Sequence, residues 1–320
     1  MRLIDVHHHI FPPGYTDLAE SMQGRGKLQA AYRTWTLAQS LDAMDASGVE
    51  TAITSISTPG TWFGDVAQAR RLSRECNEYG ARIARDHPGR FGSFASLPLP
   101  DVEGSLREIE YCADVLGVEG FVLMTSYDNR WPGEQEFAPV FDELNRRKSV
   151  VYFHPTAAPC CRSLMTDVPD ATIEYMFDTV RAVTSLLYSG TLSRCSDIRF
   201  VFSHNGSAVP LLQNRIASPC KSNPKLAARL PKGPMHELRR LYYETAGSTL
   251  RECFAPLLEL VSFDRILFGT DFPLGRLGVA ETLSGLLEQG FGEGELRLIA
   301  RDNALKLFPR LTSNREHAHG

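Results

Sequence analysis

Short apolar runs alternate along this chain with longer stretches in which apolar residues return every third or fourth position. The first run, Leu3-Ile4-Asp5-Val6-His7-His8-His9-Ile10, has strand character. Residues 37–46 follow, with Leu37, Leu41 and Met44 at helical spacing and a Ser47-Gly48 stop. A buried strand is predicted at 52–56, closed by the turn Ser57-Thr58-Pro59-Gly60. The same rhythm predicts helices at 66–86, 102–115, 136–147, 170–190 and 208–216, separated by strands at 91–95, 120–124, 150–153 and 198–202. Strands at 241–243 and 266–268 flank a helix near 250–260, and helices near 279–288 and 294–307 close the chain. Eight strands, most followed by a helix, imply a parallel sheet, and eight such units are the arithmetic of a (β/α)8 barrel. The alternative, an open doubly wound sheet, needs a Gly-rich phosphate turn after its first strand, where this chain has histidines and prolines.

Two stretches break the pattern. Residues 15–35 predict an irregular excursion with a short helix, and 218–236 predict a loop-like insertion before the seventh strand. The expected organisation is one barrel domain over 1–310 and a flexible tail at 311–320, whose His317 and His319 lie off any strand. The length suits one α/β barrel, and 43% hydrophobic residues suffice for its core. A net charge of −4 with interspersed signs gives no basic footprint for nucleic acid and no polybasic membrane patch. The chain has no apolar run long enough to span a bilayer and no apolar signal core at its start, so a cytoplasmic protein is expected. Seven irregularly spaced cysteines, including the adjacent Cys160 and Cys161, fit reduced thiols and not a disulfide framework.

The chemistry lies where predicted strands end. Side chains alternate along a strand, so His7 and His9 share a face and His8 points the other way, toward a packing role. The fifth strand runs into His154-Pro155, the sixth into Ser203-His204-Asn205-Gly206, and the eighth into Gly269-Thr270-Asp271. Barrel enzymes draw their catalytic groups from such C-terminal strand ends. Imidazoles from His7, His9 and His154 and an oxygen from Asp271 make a set for one divalent ion, with a position left open for water or substrate. His204 is a fifth ligand or, preferably, the general acid/base, because four ligands already suffice. Trp35, Trp62, Phe63 and Tyr127 near strand ends suit either flat cavity walls or the core. His87 and His236 have no strand-end context and read as surface residues.

These elements, DVHHH at 5–9, FHP at 153–155, SHNG at 203–206 and FGTDFP at 268–273, resemble the amidohydrolase superfamily in its decarboxylase-like branch. STPG at 57–60, EIEYC at 108–112, FDTVRA at 177–182 and NALKLFP at 303–309 are similar to strings of the 6-methylsalicylate decarboxylases within it. The resemblance runs from about residue 3 to 310. It implies a distorted (β/α)8 barrel holding one zinc or manganese ion on His7, His9, His154 and Asp271, with His204 catalytic. It also implies a homodimer in which Arg215 enters the neighbouring subunit's pocket to bind substrate. Where the family has His-Gly-Gly or His-Ala-Gly, this chain has His204-Asn205-Gly206, which is expected to set a side chain beside the metal.

The expected reaction is non-oxidative decarboxylation of a small aromatic, salicylate-type or enol-type carboxylic acid. Asp271 with a raised pKa, or His204, would donate the proton. Hydrolysis of a lactone, amide or C–C bond uses the same ligands and is the alternative. A barrel serving only as a binding protein is the third reading, against which the intact His and Asp set speaks.

Overall fold

The computed structural model describes residues 2–23, 28–165 and 167–311. The expected tail beyond Leu311, with His317 and His319, lies outside the described residues. Eight strands form one sheet in sequence order: β1 Leu3–His9, β2 Val49–Ser55, β3 Phe91–Ser96, β4 Gly120–Met124, β5 Val150–His154, β6 Arg199–Phe202, β7 Tyr242–Glu244 and β8 Ile266–Leu267. Every neighbouring pair is parallel. The last strand meets the first through Val6 N–H to Phe268 O (3.0 Å), Asp271 N–H to His7 O (2.8 Å) and His9 N–H to Phe272 O (2.7 Å). The result is the (β/α)8 barrel that the alternation predicts.

The helices lie outside and bury one face each. In the helix Val66–Asp86, Asp65 caps the start by accepting from Gln68 N–H, and Ala69, Leu72, Cys76, Gly80 and Ile83 face the sheet at helical spacing. Asn77 on that face clamps the end of β3, donating to Ser96 O and accepting from Ser96 N–H. Inside the barrel, Tyr152 stacks on Phe94 below the histidines, with ring centroids 5.3 Å apart. Among the described residues, no helix is long and apolar enough to cross a membrane.

Two expectations about irregular segments need correction. The excursion at 15–35 contains helices at Pro13–Gln23 and Ala31–Thr34. The loop-like stretch at 218–236 is a string of short helices, Pro219–Ser222, Pro224–Ala227 and Pro234–Arg239. In all but Ala31–Thr34 a proline occupies the first helical position, where its missing N–H costs nothing and its fixed φ suits the helix.

Candidate metal centre

β1 brings His7 and His9 to the barrel mouth on one face, with their Nε2 atoms 3.0 Å apart. Strand alternation puts His8 on the other side, next to a register shift between Asp5 and His8. There His8 bonds Asp5 through Nδ1 and Ser40 through Nε2 and stacks on Phe272, which is the packing role expected. Asp5 also accepts from Thr270 N–H and Thr270 Oγ1–H, so the same carboxylate fixes the turn that carries Asp271. Asp271 Oδ1 lies 3.1 Å from His7 Nε2 and 3.0 Å from His9 Nε2. His154, from the end of β5, completes a cluster in which one donor atom from each of the four residues lies within 4.8 Å of the others.

The hydrogen bonds of the rings show what this cluster is suited to hold. His7 Nδ1 is 2.9 Å from Glu244 Oε1, His9 Nδ1 3.3 Å from Ser55 O, and His154 Nδ1 2.9 Å from Pro155 O. Carbonyl and carboxylate oxygens only accept, so each Nδ1 carries a proton, and in the neutral rings that a metal ion requires each Nε2 keeps a lone pair. Lone pairs of His7 and His9 then face one another at 3.0 Å with an ionised oxygen beside them. That arrangement is repulsive by itself and matches the nitrogen-and-oxygen donor set of a divalent cation.

The electrostatics of the four residues point the same way. Burial opposes the imidazolium of His7, yet Glu244 and Asp271 raise it to about 10 in the absence of a metal ion, a proton standing where positive charge is called for. Burial lowers His9, and lowers His154 well below the ordinary imidazole value with help from His9 and His7. Burial works against ionisation of Asp271, but His7 and His9 outweigh it and hold the carboxyl well below the usual range. This direction is opposite to the raised pKa that Asp271 would need as the proton donor.

His204 stands beside this cluster, its ring centroid 5.3 Å from that of His7. Its Nδ1–H donates to Ala246 O at 2.8 Å, leaving Nε2 free. The turn holding it is tight: His204, Asn205 and Ser207 all have φ between 54° and 59°. A Cβ on Gly206 would sit 2.5 Å from the Tyr243 ring, so glycine is required there. Asn205 is buried and donates to Ser248 O at 2.7 Å. Its side chain is not part of the cavity wall, which corrects the expectation that it lies beside the metal.

The cluster opens into a cavity of about 1010 Å³, with His154, His204 and Asp271 among its lining. Trp62, Phe63 and Tyr127 belong to its wall, and Trp62 Nε1–H donates to Asp128 at 2.6 Å. Trp35 belongs to the core instead, donating to Ser40 Oγ. His236 is exposed, whereas His87 is half-buried and meets the Phe91 edge. Arg215 is exposed on the helix Val209–Ala217 and does not line this chain's own cavity, whereas Arg162 and Arg276, not singled out by the sequence, do.

Glu244 is the other residue the sequence reading missed. It is fully buried at the end of β7 and accepts from His7 Nδ1–H, His204 N–H and Ala246 N–H. It thereby ties one ring of the cluster to the turn carrying His204. The signal was available, since Glu244 is one more polar residue at a strand end. The predicted strand at 241–243 stops one residue short of it.

Comparisons with known proteins place this geometry in a family. A family model for amidohydrolase matches residues 4–310. "Decarboxylase yanB" of Aspergillus niger is 35% identical over 329 aligned positions, covering 97% of this chain and 88% of the relative. A 6-methylsalicylic acid decarboxylase of Penicillium expansum is 32% identical, with 97% of each chain covered. Among solved structures, a dihydroxybenzoic acid decarboxylase from Polaromonas, with bound manganese and the inhibitor 2-nitroresorcinol, superposes with a TM-score of 0.82 at 22% identity. That match covers 96% of this chain and 97% of the other and shows the shared fold. With the match spanning nearly the whole barrel and relatives above 30% identity over 88–97% of their length, this chain belongs to the amidohydrolase family.

Proposed function

We propose that this chain is a metal-dependent, non-oxidative decarboxylase of a small aromatic hydroxy acid of the salicylate type. The observation that carries the reading is the converging set of His7, His9, His154 and Asp271 beneath a cavity walled in part by Trp62 and Phe63, in a chain whose full-length relatives are decarboxylases. Held by these four residues, a divalent ion supplies Lewis acidity to an oxygen-bearing substrate, and manganese, which the Polaromonas structure contains, suits the set as zinc does.

The residues divide the remaining work. Arg162 and Arg276 on the cavity wall attract the carboxylate of the incoming acid. Trp62 and Phe63 flank the ring, and the Asp128 bond fixes the Trp62 plane. Asp271 is ionised and acts as a ligand. His204, its Nδ1 committed to Ala246 O, presents Nε2 and delivers a proton to the ring carbon as the carboxylate leaves as carbon dioxide. One proton is taken up for each carbon dioxide released, and no water is consumed. In a homodimer, exposed Arg215 adds a cation to the partner's pocket.

The test is carbon dioxide and phenol release from a panel of hydroxybenzoates, 6-methylsalicylate included, before and after chelation. Chelator-sensitive, metal-restored release, abolished in His204→Asn, is expected. Ester, amide or lactone cleavage without carbon dioxide would replace this reading with hydrolysis.

A further inference from the structure

The segment after β5 carries a feature that decarboxylation does not use. Pro159, Cys160 and Cys161 form a single tight turn, and the turn sets the two thiols side by side with their Sγ atoms 3.3 Å apart. In an extended chain, adjacent side chains would point to opposite sides. Cys160 is exposed and Cys161 is buried. A hydrogen bond between the thiols holds Cys161 above its ordinary value, with Arg181 opposing. The other thiols are placed differently: Cys76, Cys112 and Cys195 are buried, Cys220 and Cys253 half-buried.

The turn is built into the cavity wall. Pro159 and Arg162, on either side of the two cysteines, both line the cavity. Arg162 Nε–H donates back to Ala157 O at 2.9 Å, and Cys160 N–H donates to Asn129 Oδ1 at 2.7 Å. Asn129 adjoins Asp128, the residue that fixes Trp62. A change in the backbone at 160–161 is thus passed to both sides of the cavity.

We propose that Cys160 and Cys161 are a reversible oxidation site, closed by peroxide to a vicinal disulfide that deforms the cavity wall and slows turnover. Exposed Cys160 is attacked first: its thiol reduces one peroxide to water and becomes a sulfenic acid. The Cys161 sulfur then displaces the hydroxyl as a second water and forms the S–S bond, so two thiols supply the two electrons that peroxide accepts. Adjacent Cα atoms are about 3.8 Å apart, less than the span of about 4.4–6.8 Å that disulfides prefer. The ring therefore closes only by distorting the turn, and strained disulfides are the readily reduced ones.

The effect on turnover rests on the decarboxylase reading; the oxidation does not. Tryptic cleavage after Lys148 and Arg162 releases residues 149–162, a peptide that holds these two cysteines and no other. The metal-loaded protein is treated with hydrogen peroxide and digested after thiol blocking. The expected peptide has lost two hydrogens and carries no blocking group, and dithiothreitol reverses this. Hydrogen exchange across 156–176 is expected to change with the disulfide, and hydroxybenzoate turnover to fall by up to about a hundredfold, since a displacement of about 1 Å in a site can cost that much. Cys160→Ser and Cys161→Ser keep the untreated turnover and resist peroxide. A peptide that stays fully blocked, or gains oxygens, overturns the proposal. So does a disulfide that leaves exchange across the wall unchanged. If no acid is decarboxylated by the untreated protein, the decarboxylase reading fails, while mass and exchange still decide this one.

Discussion

Glu244→Gln is expected to unload the metal centre while the barrel stays folded. Glu244 Oε1 accepts from His7 Nδ1–H and His204 N–H, both at 2.9 Å, and Oε2 accepts from Ala246 N–H at 2.7 Å. A carboxamide has the same shape but one acceptor atom. Turned to keep its oxygen toward His7 and His204, it points an NH2 at the Ala246 N–H. One buried donor then goes unsatisfied, at a cost of about 1–3 kcal/mol. The lost negative charge acts on two competing cations, the proton on His7 and the metal ion. A dication feels that loss twice as strongly as a proton, so the balance shifts against the metal. Carboxylates that orient a ligating histidine typically contribute about 10–100-fold in metal affinity. That corresponds to about 1.4–2.8 kcal/mol. The assay is competition for manganese or zinc against a fluorescent chelator, with circular dichroism to confirm the fold. A dissociation constant within about twofold of the parent, in a folded variant, would refute the reasoning.

Metal loading is expected to release a proton, because His7 is held protonated up to about 10 without the ion. Proton and metal compete below that pH, so affinity rises with pH by about one log unit per unit; calorimetry in buffers of different ionisation heat checks it, and a pH-independent affinity contradicts it. Gly269→Ala places a Cβ 2.1 Å from Glu244 Oε2 and 3.0 Å from His7 Cβ. Overpacking there is expected to lower unfolding free energy by about 1–3 kcal/mol and weaken metal binding, read by urea denaturation and metal analysis. Arg215→Ala is expected to keep metal content and lose turnover. Mixing it with His204→Asn chains restores part of the activity if the arginine serves a neighbouring subunit, and restores none if it serves its own.

Most of the site was readable because four of its five residues stand at the ends of apolar runs, and His9 completes the pair on β1. The helix at 66–86 was readable for a similar reason: its cap and apolar spacing are local. Local signals failed where proline was read only as a breaker. Pro13, Pro219, Pro224 and Pro234 each open a helix, a use that sequence shares with the turn. Glu244 was missed because the predicted strand stopped one residue short of it, and its role is not local. Its importance comes from a partner 237 residues earlier, and only the closed barrel brings the two together. The side-chain direction of Asn205 likewise depends on Ser248, which no spacing around position 205 encodes.

The seam between the first and last strands brings together residues from opposite ends of the chain. His9 and Asp271 meet across 262 residues of chain, and the rest of the barrel lies between them. A chain emerging from the ribosome presents His7 and His9 almost at once and His154 midway, but it lacks the carboxylate until nearly every strand has been made. The full donor set therefore forms only when the barrel closes. An ion held there would fasten the two ends of the sheet where backbone pairing is sparse, β8 being only two residues long. Fragments truncated before Asp271 lack the carboxylate and so cannot complete the set.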